Sequence, residues 1–163
     1  MSQLLRVLYL SAAAPGLEPG DLDAILFSAR RNNVRDGITG VLLYMDDAFM
    51  QVLEGPGDAV SRAVDRIFGD SRHEMPRVIL REPVEIRRFA SWSMGFHHLE
   101  RWRSDESTVF ELSHQLLDQH PEIAEDELLK TLILNFWQLA DRHVSGVGAA
   151  RIGPPRLSHP ASH

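Results

Sequence analysis

The stretch that decides the fold runs from residue 36 to residue 55 and reads DGITGVLLYMDDAFMQVLEG. Asp36-Gly37 predicts a turn into a strand over Ile38 to Met45. Asp46-Asp47 predicts a second turn, into a strand over Ala48 to Glu54. Two β-rich apolar runs joined by so short a turn indicate an antiparallel hairpin, which becomes the centre of the predicted sheet.

A strand and a helix are predicted before this hairpin. Residues 4–11 are apolar on both sides of a β-rich run, which predicts a central strand. Asp21 and Asp23 then suit the first turn of an amphipathic helix, because carboxylates stabilise the positive end of a helix dipole. We expect this helix to end near Asn32-Asn33, since asparagine tolerates the left-handed backbone of a C-terminal cap.

A second helix and two more strands are predicted after the hairpin. Apolar residues recur at helical spacing over 60–67, and this helix should end near residues 69–70. Residues 77–84 and 91–98 have the composition of strands. The predicted order is β-α-β-β-α-β-β. Right-handed crossovers place both helices on one face of a mixed five-stranded sheet, which is a ferredoxin-like α+β arrangement.

The rest of the chain supplies a cover for the other face of the sheet. Two apolar stripes at helical spacing lie on either side of Pro121, and we expect one of these helices to pack on the open face. The predicted organisation is a domain over residues 1–100, a helical extension of two helices over 101–144 and a disordered tail over 145–163, where glycine, proline, serine and histidine dominate.

Composition excludes several classes of function. The chain has 163 residues, is 44% hydrophobic and carries a formal charge of −6, which is typical of a soluble globular protein without an electrostatic footprint for nucleic acid. It has no cysteine, so disulfides, thiolate catalysis and iron–sulfur ligation are excluded. The first residues lack the pattern of a secretory signal, and no apolar run approaches the ~20 residues of a membrane span, so we expect a cytoplasmic protein.

Two polar side chains do not fit a purely apolar core. Phe49, Gln51 and Leu53 share one face of their strand, so the Gln51 amide lies on an apolar surface. An unpaired buried amide costs roughly 1–3 kcal/mol, and Gln51 should therefore have a partner. The Tyr9 hydroxyl on the first strand raises the same question, and the two groups could satisfy each other. A satisfied core pair is the commoner explanation of this pattern taken alone.

Two other interpretations remain open from the residues alone. One is a small-molecule-binding or regulatory ferredoxin-like module without a chromophore. The other is a hydrolase or metal enzyme built on Asp46-Asp47, Glu54 and His97-His98. The aspartates lie in a predicted turn and neighbouring strand residues point to opposite faces, which is poor geometry for shared ligation, so we predict no metal site.

A set of short fragments, in this order and spacing, resembles the BLUF family of flavin-based sensors of blue light. The resemblance extends from residue 4 to about residue 98. The fragments are Tyr9-Leu10-Ser11, Arg31-Asn32-Asn33, Asp36-Gly37-Ile38-Thr39-Gly40, Phe49-Met50-Gln51-Val52-Leu53-Glu54-Gly55, Arg66, Asp70-Ser71-Arg72-His73 and Trp92-Ser93-Met94.

The resemblance implies a flavin held without a covalent bond between the two helices above the sheet. The flavin is usually FAD, with FMN or riboflavin as alternatives. An isoalloxazine ring is a flat apolar body with a polar rim, so it needs aliphatic walls and a few placed donors and acceptors. The residues that the resemblance assigns to flavin binding are Ile25, Ser28, Asn32, Asn33, Phe49, Gln51, Arg66 and Ile67.

The resemblance also implies a photoactive group made of Tyr9, Gln51, Trp92 and Met94. In the family, light drives an electron and a proton from the tyrosine to the flavin, and their return leaves the glutamine in a second arrangement. An amide has a donor end and an acceptor end, so its rotation or tautomerisation reverses what it offers each neighbour. This implies sensing without net catalysis, and hence a photoreceptor with no catalytic residues.

No effector domain is recognisable beyond residue 100. We therefore expect a short stand-alone photoreceptor that signals to a separate effector protein through the last strand and the helical extension. Phe136 and Trp137 lie on adjoining faces, so one could pack on the sheet while the other contacts a second copy or a partner. A homo-oligomer is accordingly predicted.

Overall fold

The computed structural model describes residues 2–45, 47–90, 94–98, 117–118, 121–136 and 138–139. Nine elements follow one another within these residues: β1 (Leu4–Ala13), α1 (Pro19–Asp36), β2 (Thr39–Met45), β3 (Ala48–Pro56), α2 (Gly57–Phe68), β4 (His73–Val84), β5 (Gly95–His98), α3 (Pro121–Ala124) and α4 (Glu127–Leu134).

The strands form one sheet in the order β4-β1-β3-β2-β5. β1 lies between β3 and β4 and is antiparallel to both, and β2 is antiparallel to β3. β5 pairs with β2 in the parallel direction, with Val41 opposite Gly95. The predicted α+β class, with an antiparallel sheet and helices, is confirmed.

Each face of the sheet carries its own apolar cluster. On one face, Tyr9, Leu42 and Phe49 pack with residues of α1 and α2 such as Ile25 and Val60. On the other face, strand residues pack with the C-terminal helical segment, whose buried members are Leu117, Ile123, Leu129, Ile133 and Phe136. The sheet is therefore the middle layer of three.

α1 runs past the end that the sequence predicts. The helix continues through Asn32 and Asn33 to Asp36, and Gly37 ends it with φ 68° and ψ 28°. The Asn33 carbonyl accepts the backbone N–H of Gly37 and, at 2.9 Å, that of Ile38. Glycine adopts this left-handed conformation at lower cost than asparagine, which is why the cap falls at Gly37. Asn33 is consequently a buried residue inside the helix.

β4 begins at His73 rather than at residue 77 as predicted. Its pairing with β1 has irregularities that take up Met75, with φ 45°, so the strand passes Pro76 without ending. Of the predicted strand over 91–98, residues 95–98 form β5, whereas 91–93 lie outside the described residues. The predicted tail over 145–163 and the Trp137 side chain also lie outside them. No helix in the described part of the chain is long and apolar enough to span a membrane.

Candidate functional site

A cavity of about 280 Å³ lies between α1, α2 and the sheet. Its lining combines aliphatic walls with amide, hydroxyl, guanidinium, imidazole and carboxylate groups. The lining residues are Ile25, Ser28, Ala29, Arg31, Asn32, Asn33, Leu42, Gln51, Ala63, Arg66, Ile67, Asp70, Arg72 and His73.

The cavity brings together most of the residues that the sequence assigns to a flavin. Ile25, Ser28, Asn32, Asn33, Gln51, Arg66 and Ile67 all line it. Phe49 does not line it; its ring is fully buried behind His73, with ring centroids 4.8 Å apart. The positions of these residues thus agree with a shared site, while their roles toward a cofactor stay predictions.

Three of the four predicted photoactive residues form a continuous chain of contacts. Tyr9 and Gln51 lie directly opposite each other on β1 and β3, and the Tyr9 hydroxyl donates a hydrogen bond to Gln51 Oε1. Gln51 Nε2 lies 3.3 Å from Met94 Sδ and donates to it. The predicted mutual satisfaction of Tyr9 and Gln51 is confirmed. The fourth residue, Trp92, lies outside the described residues.

Burial fixes the protonation state of this group. Tyr9 is fully buried, which raises the pKa of its hydroxyl, and the negative charge of Asp70 raises it further. Tyr9 therefore stays protonated and acts as the donor, so the Gln51 carbonyl is the acceptor. A thioether is only a weak acceptor for the other end of the amide. Among the described residues, the Gln51 side chain has no further hydrogen-bond partner, although an amide offers four bonding positions, and it lines the cavity.

His73 belongs to the site, although the sequence assigned it no role. Its Nδ1 lies 2.8 Å from the Ser11 hydroxyl, and its ring packs near Tyr9 and Phe49. Burial lowers the pKa of His73 to about 4, so the imidazole is neutral near pH 7. The fragment Asp70-Ser71-Arg72-His73 was the available signal, but nothing in a strand pattern broken by Met75-Pro76 places His73 beside Tyr9.

Charged groups occupy the rim of the cavity. Arg72 donates to Asp70, with Nη2 2.6 Å from Oδ2, and this bond lowers the pKa of the Asp70 carboxyl despite its partial burial. Arg66 reaches within 3.6 Å of Asp36 from α2 and is about half exposed. Arg72 is therefore a paired residue of the cavity lining.

Of the residues in the metal-enzyme interpretation, the structure describes the side chains of Asp47, which accepts the Tyr44 hydroxyl, and of Glu54. Glu54 is fully buried and bonds Arg6 on the other face of the sheet. Asp46 and the side chains of His97 and His98 lie outside the described residues. In the part of the chain that the structure describes, no three histidine, aspartate or glutamate residues form a group suited to a metal ion.

A buried amide in the wall of a ligand-sized cavity, set between two helices and an antiparallel sheet, defines an α+β small-molecule-binding domain. The family model "BLUF: Sensors of blue-light using FAD" matches residues 4–95, and the chain belongs to this family.

The names of similar proteins support this family assignment. The chain is 36% identical over 94 residues to the photoactivated adenylate cyclase subunit beta of Euglena longa, covering 57% of this chain and 11% of that protein. It is 29% identical over 85 residues to the blue light- and temperature-regulated antirepressor BluF of Escherichia coli strain K12, covering 52% of this chain and 21% of that protein. The chain thus spans only a small part of these relatives.

Solved structures show the same fold. The dark-state structure of BlrB, a BLUF protein, has a TM-score of 0.63 and 30% identity, covering 82% of this chain and 97% of that one. Klebsiella pneumoniae BlrP1 with FMN and cyclic diGMP has a TM-score of 0.67 and 26% identity, covering 95% of this chain and 38% of that one.

The BLUF domain is a sensory module that binds a flavin, FAD in the family's description. The residues here fit such a group. Ile25, Leu42 and Ile67 provide aliphatic surface for a flat ring, and the buried amides of Asn33 and Gln51 lie in the same lining. An apolar cavity with a few placed polar groups is what a ring with a polar rim requires.

Proposed function

We propose that this chain is a blue-light photoreceptor that holds a flavin in the cavity between α1 and α2 without a covalent bond. Its binding site would be formed by seven residues of the cavity lining, namely Ile25, Ser28, Asn32, Asn33, Gln51, Arg66 and Ile67, and Phe49 would support the site from the core beside His73. FAD is the favoured form, and FMN and riboflavin have the same ring. When bound, the flavin supplies absorption of blue light and an acceptor for an electron.

The observation that carries this proposal is the chain of contacts from Tyr9 through Gln51 to Met94 at the cavity wall. Tyr9 holds a proton at its hydroxyl and directs it to Gln51 Oε1. Turning the amide over exchanges its oxygen for its NH2 group, so the Tyr9 hydroxyl would then accept and Met94 Sδ would lose its donor. The same residues therefore have two arrangements that light can interchange.

We propose that the chain signals to a protein partner and does not convert a substrate. Relatives whose names describe a photoactivated cyclase subunit and a light-regulated antirepressor support a domain that regulates something else. We propose that this chain acts on a separate effector through β5 and the C-terminal helices, as a homo-oligomer. Measurement of the molar mass in solution, in the dark and in the light, tests the homo-oligomer, for which we expect a mass above that of one chain.

A light-minus-dark absorption spectrum of the purified chain tests the photoreceptor. We expect a yellow protein whose flavin absorption moves to the red under blue light. Gln51→Leu removes the two-ended amide and should abolish the shift, and Tyr9→Phe removes the hydroxyl proton and should do the same.

Tyr44→Phe is the matched control, because Tyr44 is the only other tyrosine in the chain. Its hydroxyl bonds Asp47 rather than Gln51, at 3.1 Å, and the variant should keep the full shift. A protein that stays colourless after reconstitution with flavins would refute the proposal, and so would a normal shift in Gln51→Leu.

A further inference from the structure

A cluster of buried charges lies on the face of the sheet opposite the cavity. Arg6 on β1 and Glu54 on β3 are paired in register, and Arg6 Nε donates to Glu54 Oε1 at 2.9 Å. Their side chains are 4% and 0% exposed. Arg6 Nη1 also donates to Glu82 Oε1 at 3.0 Å and to Asp126 Oδ2 at 2.8 Å. One guanidinium thus ties β1, β3 and β4 to the start of α4.

Glu54 also holds the segment that leads toward Met94. Its second oxygen accepts the backbone N–H of Arg88 at 2.8 Å and that of Phe89 at 3.1 Å. Farther along, the Met94 carbonyl accepts Arg30 Nε at 3.1 Å. Phe89 is therefore attached to Glu54, and Met94 is attached to Gln51 and to α1.

The ion pair and the photoactive pair occupy the same two strands. Tyr9 lies opposite Gln51, and Arg6 lies opposite Glu54, on adjacent parts of one β1–β3 ladder. Each strand alternates its side chains between faces, so the odd spacing puts the two pairs on opposite faces. The two pairs are thus joined through the backbone of the same two strands.

Asp126 receives this contact at the first turn of α4. Its Oδ2 bonds Arg6, while its Oδ1 accepts the backbone N–H of Leu129 at 3.1 Å and caps the helix. Leu129 and Ile133 of α4 are fully buried against the sheet. Charge-assisted hydrogen bonds are strong and directional, so the Arg6 guanidinium helps to hold this helix terminus against the sheet.

We propose that Arg6, Glu54 and Asp126 are positioning residues that form the joint through which rearrangement at Gln51 and Met94 changes the docking of α4. The inference rests on the proposed photoreceptor function. A shift of the Arg88–Phe89 backbone withdraws donors from Glu54, and Arg6 then redistributes its N–H groups among Glu54, Glu82 and Asp126. These alternative pairings give the joint two arrangements that the state of the amide can bias.

The test compares Asp126→Ser with wild type and with Glu125→Gln in the full flavin-bound chain. Serine keeps an oxygen that can cap α4 but removes the carboxylate that bonds Arg6. Glu125 is a neighbouring acid, 72% exposed, whose bond to Arg88 is 3.4 Å long. Two quantities are measured in the dark and under blue light, namely the flavin absorption shift and hydrogen exchange of the α4 amides over residues 127–134.

We expect wild type and Glu125→Gln to show a light-dependent change in α4 exchange. Asp126→Ser should keep the full absorption shift and the dark protection of α4 but lose the light–dark difference by at least about fivefold, the low end of coupling between sites. A merely structural role of Asp126 would alter protection equally in both states. An Asp126→Ser variant that retains the wild-type difference overturns the inference.

Three further outcomes are decisive. If Asp126→Ser releases α4 already in the dark, the isosteric Asp126→Asn replaces it, and a retained light–dark difference there overturns the inference in the same way. A wild-type chain with a normal absorption shift but no change in α4 overturns the inference alone. A wild-type chain with flavin but no absorption shift overturns the proposed function and, with it, the inference.

Discussion

At the scale of single residues, strand parity was enough to single out Gln51 and Tyr9 as polar groups in an apolar core, whereas their proposed photoactive role came from the resemblance to the family. Gln51 shares a face with Phe49 and Leu53, and a buried amide among apolar side chains requires a partner. The structure supplies Tyr9 on one side and Met94 on the other. His73 could not be found in this way, because its place beside Tyr9 depends on a bulged pairing between β1 and β4.

The neutral state of His73 predicts a dependence of stability on pH. Its pKa in the folded chain is about 4, below the ordinary value of 6.5, so the unfolded chain binds more protons between these values. The free energy of unfolding should therefore fall as the pH is lowered from about 6.5 to about 4, by about 3 kcal/mol at most. Urea unfolding at several pH values measures this change.

His73→Gln provides the comparison for that prediction, since glutamine keeps polar atoms but does not titrate. The variant should lose most of the slope between pH 6.5 and 4, whereas acidic groups such as Asp70 continue to contribute below it. An unchanged slope in His73→Gln would show that burial does not depress the pKa of this imidazole.

At the scale of elements, the sequence predicted the order and kind of the strands and helices but not every boundary. Helical periodicity located α1, yet two adjacent asparagines suggested an end that the helix passes, because Gly37 offers a cheaper left-handed cap. The strand predicted over 77–84 begins earlier in the structure, at His73, because the pairing of β4 with β1 takes up Met75 and Pro76 through an irregular register.

Gly40 on β2 allows the closest contact in the central hairpin. A Cβ added there would lie 1.9 Å from the Val52 carbonyl oxygen of β3, so the two strands would have to move apart. Gly40→Ala should lower the free energy of unfolding by about 3 kcal/mol or more, at the upper end of overpacking costs. Denaturant unfolding gives the value.

The control for Gly40 is Gly20→Ala in the first turn of α1, where an added Cβ meets nothing within 4 Å. Alanine is the better helix former, so Gly20→Ala should be neutral or stabilising by up to about 1 kcal/mol. Equal stability of the two variants would contradict the close approach of β2 and β3 at Gly40.

At the scale of the whole molecule, contacts between residues far apart in the sequence could not be predicted. Arg6 and Asp126 are 120 positions apart, and Asp126 looks like any N-terminal cap of a helix. The need for a cover on the second face of the sheet was predictable from its apolar residues, and the C-terminal helical segment packs there. The sequence does not show which charged residues bind the C-terminal helical segment to the sheet, because these contacts depend on three-dimensional proximity alone.

Removal of the helical cover tests this attachment. A chain that ends at residue 98 exposes buried strand residues such as Leu8, Leu43 and Met50 and leaves Arg6 without Asp126. Each large apolar side chain that becomes exposed loses about 1.5–3 kcal/mol of burial free energy, so Tm should fall by about 10 °C or more. Exposed apolar surface should also cause self-association, which light scattering detects.

A chain that ends at residue 144 is the control, and it also tests the predicted tail over 145–163. It should keep the Tm and the size of the full chain in the dark. If the shorter chain ending at residue 98 were equally stable and equally well dispersed, the helical segment would contribute nothing to the stability of the sheet.

The spacing between Arg6 and Tyr9 on β1 matches the spacing between Glu54 and Gln51 on β3. This shared spacing determines which face of the sheet each pair of side chains occupies. Inserting one residue between Arg6 and Tyr9 would keep every side chain of the protein, yet it would turn either the guanidinium toward the cavity between α1 and α2 or the phenol away from it. Chimeras that graft other helices beneath this sheet must therefore preserve the count between these positions as strictly as the residues themselves.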